Sequence, residues 1–189
     1  MIKIGILGDI GSGKSYVAQN FGYPIFNADY EVAKIYNQNK NIFNKLKKSL
    51  PKYIHSFPIE KKEISTAILA DENNLKKIVK IVHLEIRKKM NTFLKKNKNK
   101  KIVILDIPLL LENKINKKKD ILVFVQSKKS EIVKRLKKRK NFNQKLLKKF
   151  KSIQYSTNYK KKKSDYIIKN NFTKKSINDG IRNILKEII

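Results

Sequence analysis

Gly8-Asp9-Ile10-Gly11-Ser12-Gly13-Lys14-Ser15 is the stretch on which the fold turns. It fits G-x-x-x-x-G-K-[ST], directly after an apolar run at 2–7 that reads as a strand and directly before a segment that reads as a helix. Glycines at this spacing allow successive backbone N–H groups to curl around a phosphate, and the following helix N-terminus adds partial positive charge. Lys14 supplies a cation for the β- and γ-phosphates, and the Ser15 hydroxyl stands where it can ligate Mg²⁺. The stretch therefore reads as a nucleotide-binding phosphate loop. Asp9, Ile10, Gly11, Ser12, Gly13, Lys14, Ser15 and Tyr16 are the residues expected around the nucleotide. The bland alternative is a glycine turn with an incidental lysine, and the flanking strand and helix argue against it.

Further apolar runs at 23–26, 102–107, 121–125 and 166–168 also read as strands. None alternates cleanly with polar residues, as expected of a parallel sheet covered on both faces. Leu75, Ile78, Val79, Val82, Ile86, Met90 and Phe93 keep helical spacing, as do Ile177, Ile181, Ile184, Leu185 and Ile188 near the C-terminus. A shorter helix is expected around Ile132, Val133 and Leu136. Strands alternating with helices predict an α/β fold: three layers around a five-stranded parallel sheet, in one domain over 1–189. The segment at 30–95 is helical in pattern and longer than a single crossover needs, so it reads as a substrate-binding subdomain. The region at 140–160, from Asn141-Phe142-Asn143 into a lysine-studded helix, reads as a lid.

Charge points elsewhere at first. The 189 residues carry 46 Lys+Arg against 15 Asp+Glu, a net charge of +31. Yet 42 of the 46 are lysine and only four are arginine, while Lys, Ile and Asn together supply 90 residues. These three amino acids share AT-rich codons, so base composition alone can generate the excess. Arginine dominates where bidentate phosphate or base readout is needed, so its scarcity argues against a nucleic-acid partner. The lysine runs at 95–101, 117–119 and 160–163 are expected to be solvated loops. With no Cys and only His55 and His83, disulfides, thiol chemistry and Cys- or His-rich metal sites are excluded. No apolar run approaches the length of a membrane span, and the opening one is too short for a signal peptide, so a cytoplasmic protein is expected.

Three further places carry candidate chemistry. Asp29, in Phe26-Asn27-Ala28-Asp29, follows the second strand where a helix begins, beyond the carboxyl end at which parallel sheets bind ligands. It reads equally well as a catalytic carboxylate and as a helix N-cap. Asp106 ends the third strand in Leu105-Asp106-Ile107-Pro108-Leu109-Leu110-Leu111-Glu112, well placed to support Mg²⁺. Arg135 and Arg139, four apart, are expected on one helix face, either for phosphate contact or as a solvated basic face.

Taken together, these blocks resemble the dephospho-CoA kinase family over most of the chain. The family's G-L-T-G-x-I-G-S-G-K-S opening is met by Gly5 through Ser15, its D-A-D by Asn27-Ala28-Asp29, and its H-P block by His83-Leu84-Glu85-Ile86-Arg87. Its D-x-P-L-L-F/L-E block is met in full by Asp106 through Glu112. Its R-L-x-x-R stretch is Arg135 through Arg139, its following Q is Gln154, and its terminal A-D-x-x-I-x-N appears as Ser164 through Asn170. The resemblance implies a P-loop kinase fold and transfer of the ATP γ-phosphoryl group to the ribose 3′-hydroxyl of dephospho-CoA, the step that completes coenzyme A. It implies that Lys14 and the loop amides hold ATP, that Ser15 and Asp106 serve Mg²⁺, and that Asp29 accepts the hydroxyl proton. It also implies that Arg139 stabilises the transferring group from a lid and that Asn170 lies near the adenine.

The chain departs from the family pattern at Leu7, Asp9, Asn27 and Leu84. His83 stands as a candidate substrate-side residue, with a helix-surface or core histidine as the alternative. Expected partners are the small molecules ATP and dephospho-CoA, with the protein a monomer or weak homo-oligomer. Two other readings compete: a small kinase of the nucleoside-monophosphate type, which normally uses more arginines, and a nucleic-acid-associated P-loop protein, favoured by charge alone.

Overall fold

The computed structural model describes residues 1–140 and 142–189; Asn141, at the start of the expected lid, lies outside them. In chain order the elements are β1 (Ile2–Gly8), α1 (Lys14–Asn20), β2 (Ile25–Asn27), α2 (Ala28–Gln38), α3 (Lys40–Ser49), α4 (Lys61–Ala70) and α5 (Glu72–Lys96). They continue as β3 (Ile102–Asp106), β4 (Ile121–Gln126), α6 (Lys129–Lys137), α7 (Gln144–Ser152), α8 (Thr157–Lys162), β5 (Tyr166–Lys169) and α9 (Lys174–Ile188). The chain divides into two compact units. One comprises 1–27, 94–142 and 154–189; the other comprises 28–93 and 143–153.

The first unit is built on a five-stranded sheet in the order β2-β3-β1-β4-β5, with every pairing parallel. The apolar runs form strands because both faces are covered: Ile4, Ile6, Ile102, Ile104, Val123 and Val125 on one face, and Leu7, Val103, Leu105, Leu122 and Phe124 on the other, are buried. Val17 and Ala18 of α1, Phe21 at its C-cap, and Ile177, Ile181 and Ile184 of α9 pack into the same core. The second strand starts two residues later and ends one residue later than its apolar run suggests, so that Asn27 belongs to the sheet, in register with Asp106. Because all strands run the same way, their carboxyl ends share one edge, which is where ligands of such sheets bind.

The second unit is helical among its described residues. Asn39 caps α3 by accepting from the Ile42 N–H at 3.0 Å, and Asn143 caps α7 by accepting from Leu146 at 2.9 Å. Ile42, Leu46, Ile64, Ile68, Leu75, Ile78 and Val82 supply its buried apolar surface. The long periodic segment becomes α5, and its buried Leu75, Ile78, Val82, Ile86 and Met90 follow the predicted stripe.

One lysine overturns the reading of the basic runs as solvated loops. Lys160 lies in α8 and is only 2 % exposed. Its Nζ lies 3.0 Å from Oε1 of Glu112 and donates to Oε1 of Gln154 at 2.9 Å. Glu112 also accepts from the Tyr155 N–H at 2.8 Å. This lock ties the turn after β3 to the segment that begins α8. Lys95 and Lys96 likewise extend α5, whereas Lys117, Lys118 and Lys119 are exposed, as expected. Removing one member of a buried pair strands the other charge. Lys160→Met should therefore lower the unfolding free energy by about 3–5 kcal/mol in urea denaturation. The double variant Glu112→Gln with Lys160→Met should recover part of that loss. A single-variant loss within about 1 kcal/mol, the range of exposed pairs, would mean the pair is effectively solvated.

Candidate active site

The phosphate loop leaves β1 at the shared edge and enters α1 at Lys14. Gly11 and Gly13 have φ of 86° and 90°, a region that glycine alone enters at little cost. Space is as tight as conformation: a Cβ on Gly13 would come within 2.5 Å of the Asn170 amide nitrogen, and one on Gly11 within 2.9 Å of Leu136. The Lys14 ammonium lies along the loop, donating to the Asp9 carbonyl at 2.8 Å and the Gly8 carbonyl at 3.3 Å. Ser15 and Tyr16 are exposed in the first turn of α1, whose leading N–H groups have no intrahelical acceptor. The Asp9 carboxylate, a negative group in a phosphate loop, accepts from the Ile10 N–H at 2.7 Å. The Ile10 amide is thus committed to the loop's own side chain, and the Ser12 amide to a loop backbone group, the Asp9 carbonyl, at 3.1 Å.

On the neighbouring strand, Asp106 closes β3 and is 4 % exposed. Its Oδ2 accepts from Asn27 Nδ2 at 2.8 Å across the β2–β3 pairing. The departure at residue 27 thereby acquires a physical meaning. A carboxylate in Asn27's place would face the Asp106 carboxylate, whereas the amide donates to it and orients it. Mg²⁺ takes hard oxygen ligands, commonly one or two carboxylates together with substrate phosphates. The Asp106 carboxylate and the Ser15 hydroxyl are donors of that kind. Among the described residues no group of three His, Asp or Glu side chains gathers into a separate metal site.

Two further strand ends reach the loop. Ser127, just after β4, and Asn170, just after β5, both donate to the Ser12 carbonyl at 2.9 Å. Asn170 is 3 % exposed, and its Oδ1 accepts from the Phe172 N–H at 2.7 Å. Phe172 has φ 65°, and the Arg135 guanidinium stacks 4.3 Å from its ring centre. Arg135 and Arg139 do not share a helix face. α6 ends at Lys137, and the Arg139 N–H donates to the Leu136 carbonyl in a turn, which takes Arg139 out of the helical period. Arg139 is exposed. None of Ser127, Phe172 or the Asn27 amide was singled out as a site residue by sequence reasoning. Asn170 entered the sequence reading only through the resemblance, as the last residue of the block from Ser164 to Asn170.

Asp29 is the second residue of α2, within its first turn and exposed, so it is not the helix N-cap. A carboxylate in a first turn is favoured by the helix dipole. In α5, His83 and Arg87 stand one turn apart. Burial, and then the Arg87 charge, hold the His83 imidazolium below the usual histidine range, and its Nε2 is buried without a hydrogen-bond partner.

The comparisons with known proteins agree with this arrangement. Dephospho-CoA kinase from Wolbachia pipientis wMel is 32% identical over 190 residues, covering 98% of this chain and 97% of that protein. Its counterpart from Wolbachia sp. subsp. Brugia malayi (strain TRS) is 30% identical with the same coverage. The crystal structure of TT1252 from Thermus thermophilus superposes with a TM-score of 0.79 at 25% identity, over 100% of this chain and 98% of that one. The family model for dephospho-CoA kinase (CoaE) matches residues 2–176. With the phosphate loop, the β3 carboxylate and the parallel sheet in place across that span, this chain belongs to the dephospho-CoA kinase family.

Proposed function

We propose that this protein transfers the γ-phosphoryl group of ATP to the ribose 3′-hydroxyl of dephospho-CoA, giving coenzyme A and ADP. The observation that carries the reading is the family match over 2–176, within which Lys14, Ser15, Asp29 and Asp106 all lie. Phosphoryl transfer asks a protein mainly for positioning and charge stabilisation. ATP phosphate oxygens replace the Gly8 and Asp9 carbonyls as acceptors for the Lys14 ammonium. The 3′-oxygen forms its bond to the γ-phosphorus as the bond to the β,γ-bridging oxygen breaks, and that electron pair leaves with ADP. The hydroxyl proton passes to the Asp29 carboxylate. Arg139, in the turn after α6, offers its guanidinium to the charge on the transferring group. Mg²⁺, when bound, neutralises charge on the β- and γ-phosphates, with the Ser15 hydroxyl and Asp106 as its protein-side oxygens. The segments at 30–95 and 140–160 serve as substrate-binding region and lid, excluding water that would otherwise take the phosphoryl group. Both substrates are polyanions, so a positive cleft aids their capture. The reading places the enzyme in the cytoplasm, with two small molecules as its partners. No helix among the described residues is long and apolar enough to cross a membrane.

Purified protein with Mg·ATP should release ADP on addition of dephospho-CoA, and not with AMP, CMP or single-stranded DNA. Absence of turnover with dephospho-CoA in a folded, ATP-binding protein would overturn the assignment. Asp29→Asn should lower kcat by about two to four orders of magnitude while leaving ATP affinity unchanged, the signature of a lost proton acceptor. Near-normal turnover would reduce Asp29 to a first-turn helix residue. Asp106→Asn should raise the Mg²⁺ concentration for half-maximal rate by about tenfold or more. An unaltered Mg²⁺ requirement would remove Asp106 from the metal's surroundings.

A further inference from the structure

The Ser12–Gly13 peptide lies in the glycine-rich part of the phosphate loop, immediately before α1. A trans peptide is planar, so its C=O and N–H point in opposite directions. Whichever way the Ser12 carbonyl faces, the Gly13 N–H faces the other. Gly13 sits at φ 90°, and glycine populates the opposite sign of φ about as readily. Local conformational preference therefore does not stop this peptide from turning over. A turned peptide would present a carbonyl oxygen where the loop has to present an N–H to phosphate.

What opposes that turn is the pair of donors from the last two strands. Asn170 Nδ2 and Ser127 Oγ both reach the Ser12 carbonyl at 2.9 Å. The Asn170 amide cannot reverse its own ends without cost, because its Oδ1 already accepts from the Phe172 N–H. Its backbone is fixed as well, the Asn170 N–H donating to the Gln126 carbonyl at 2.8 Å. Burial of Asn170 keeps water from substituting for the amide.

We propose that Asn170, with Ser127, is a positioning residue that holds the Ser12–Gly13 peptide in its phosphate-accepting orientation, and that it does not read the adenine base. The proposal rests on the ATP-dependent reading above and adds a distinct role for these two side chains. Its consequence is that loss of Asn170 weakens every ligand that places a phosphate chain in the loop, whatever base the ligand carries.

The test is calorimetric titration of the full chain with ATP, GTP and inorganic tripolyphosphate, for the wild type and for Asn170→Ala, Asn170→Asp and Ser127→Ala. Asn170→Ala should weaken all three ligands by a common factor of about tenfold, leaving the ATP-to-GTP ratio unchanged. Asn170→Asp should be worse than alanine, because an acceptor then faces the Ser12 carbonyl. Ser127→Ala should give the same pattern at about three-fold, and it carries the test if the buried Asn170 variants fail to fold. A loss confined to ATP, with tripolyphosphate binding intact, would overturn the proposal and make Asn170 a base contact. Unchanged binding of all three ligands by folded variants would overturn it too. A wild-type chain that binds neither ATP nor tripolyphosphate would instead sink the ATP reading on which the proposal stands.

Discussion

Backbone direction between β1 and α1 is the constraint on which the rest depends. A phosphate can be held there only if several N–H groups face one way and their carbonyls the other, and the loop's own side chains reach only the Gly8 and Asp9 carbonyls and the Ile10 N–H. The structure meets the demand from outside. β1 delivers the loop to the carboxyl edge of the sheet, Gly11 and Gly13 take angles that cost other residues more, and the ends of β4 and β5 contribute Ser127 and Asn170 against the Ser12 carbonyl. The parallel topology is what makes this possible, since it gathers the ends of five strands at one edge. The same edge carries Asp106, the carboxylate proposed above to serve Mg²⁺.

Charge is managed locally within this arrangement. The Asp9 carboxylate, which looks hostile to a triphosphate in sequence, is absorbed by the Ile10 N–H. Asn27 faces Asp106 with an amide where the family pattern has a second carboxylate, so the pairing across β2 and β3 becomes a hydrogen bond. The Lys14 ammonium rests on the Gly8 and Asp9 carbonyls of the loop. Of the large lysine excess, one residue is buried to structural effect in the Glu112 lock, while most others lie on solvated surface. The charge that dominates the composition thus has little bearing on the chemistry.

Much of the fold was legible in the sequence because its signals are local. Apolar runs without alternation specify strands covered on both faces, and the stripe from Leu75 to Met90 specifies one face of α5. The glycine–lysine motif was legible for the same reason, since eight consecutive residues carry it. The parts that escaped depend on contacts distant in sequence. Ser12 and Asn170 are separated by 158 residues, and nothing near either position announces that one holds the other's carbonyl. Lys160 looks like its exposed neighbours until Glu112 and Gln154 are brought to it. Arg139 illustrates the reverse limit: its spacing from Arg135 fits a helix, but α6 ends two residues short of it.

The claim at the centre is that the loop at 8–15 receives the triphosphate through a backbone already set to receive it. A crystal structure with Mg²⁺, a non-hydrolysable ATP analogue and dephospho-CoA tests that most directly. The account predicts that the Lys14 ammonium leaves the Asp9 carbonyl for a phosphate oxygen, while the Ser12 carbonyl keeps its bonds to Asn170 and Ser127. It also predicts that the dephospho-CoA 3′-oxygen lies in line with the γ-phosphorus, within hydrogen-bond reach of Asp29. A triphosphate bound away from the loop, or a Ser12–Gly13 peptide turned over on binding, would contradict it.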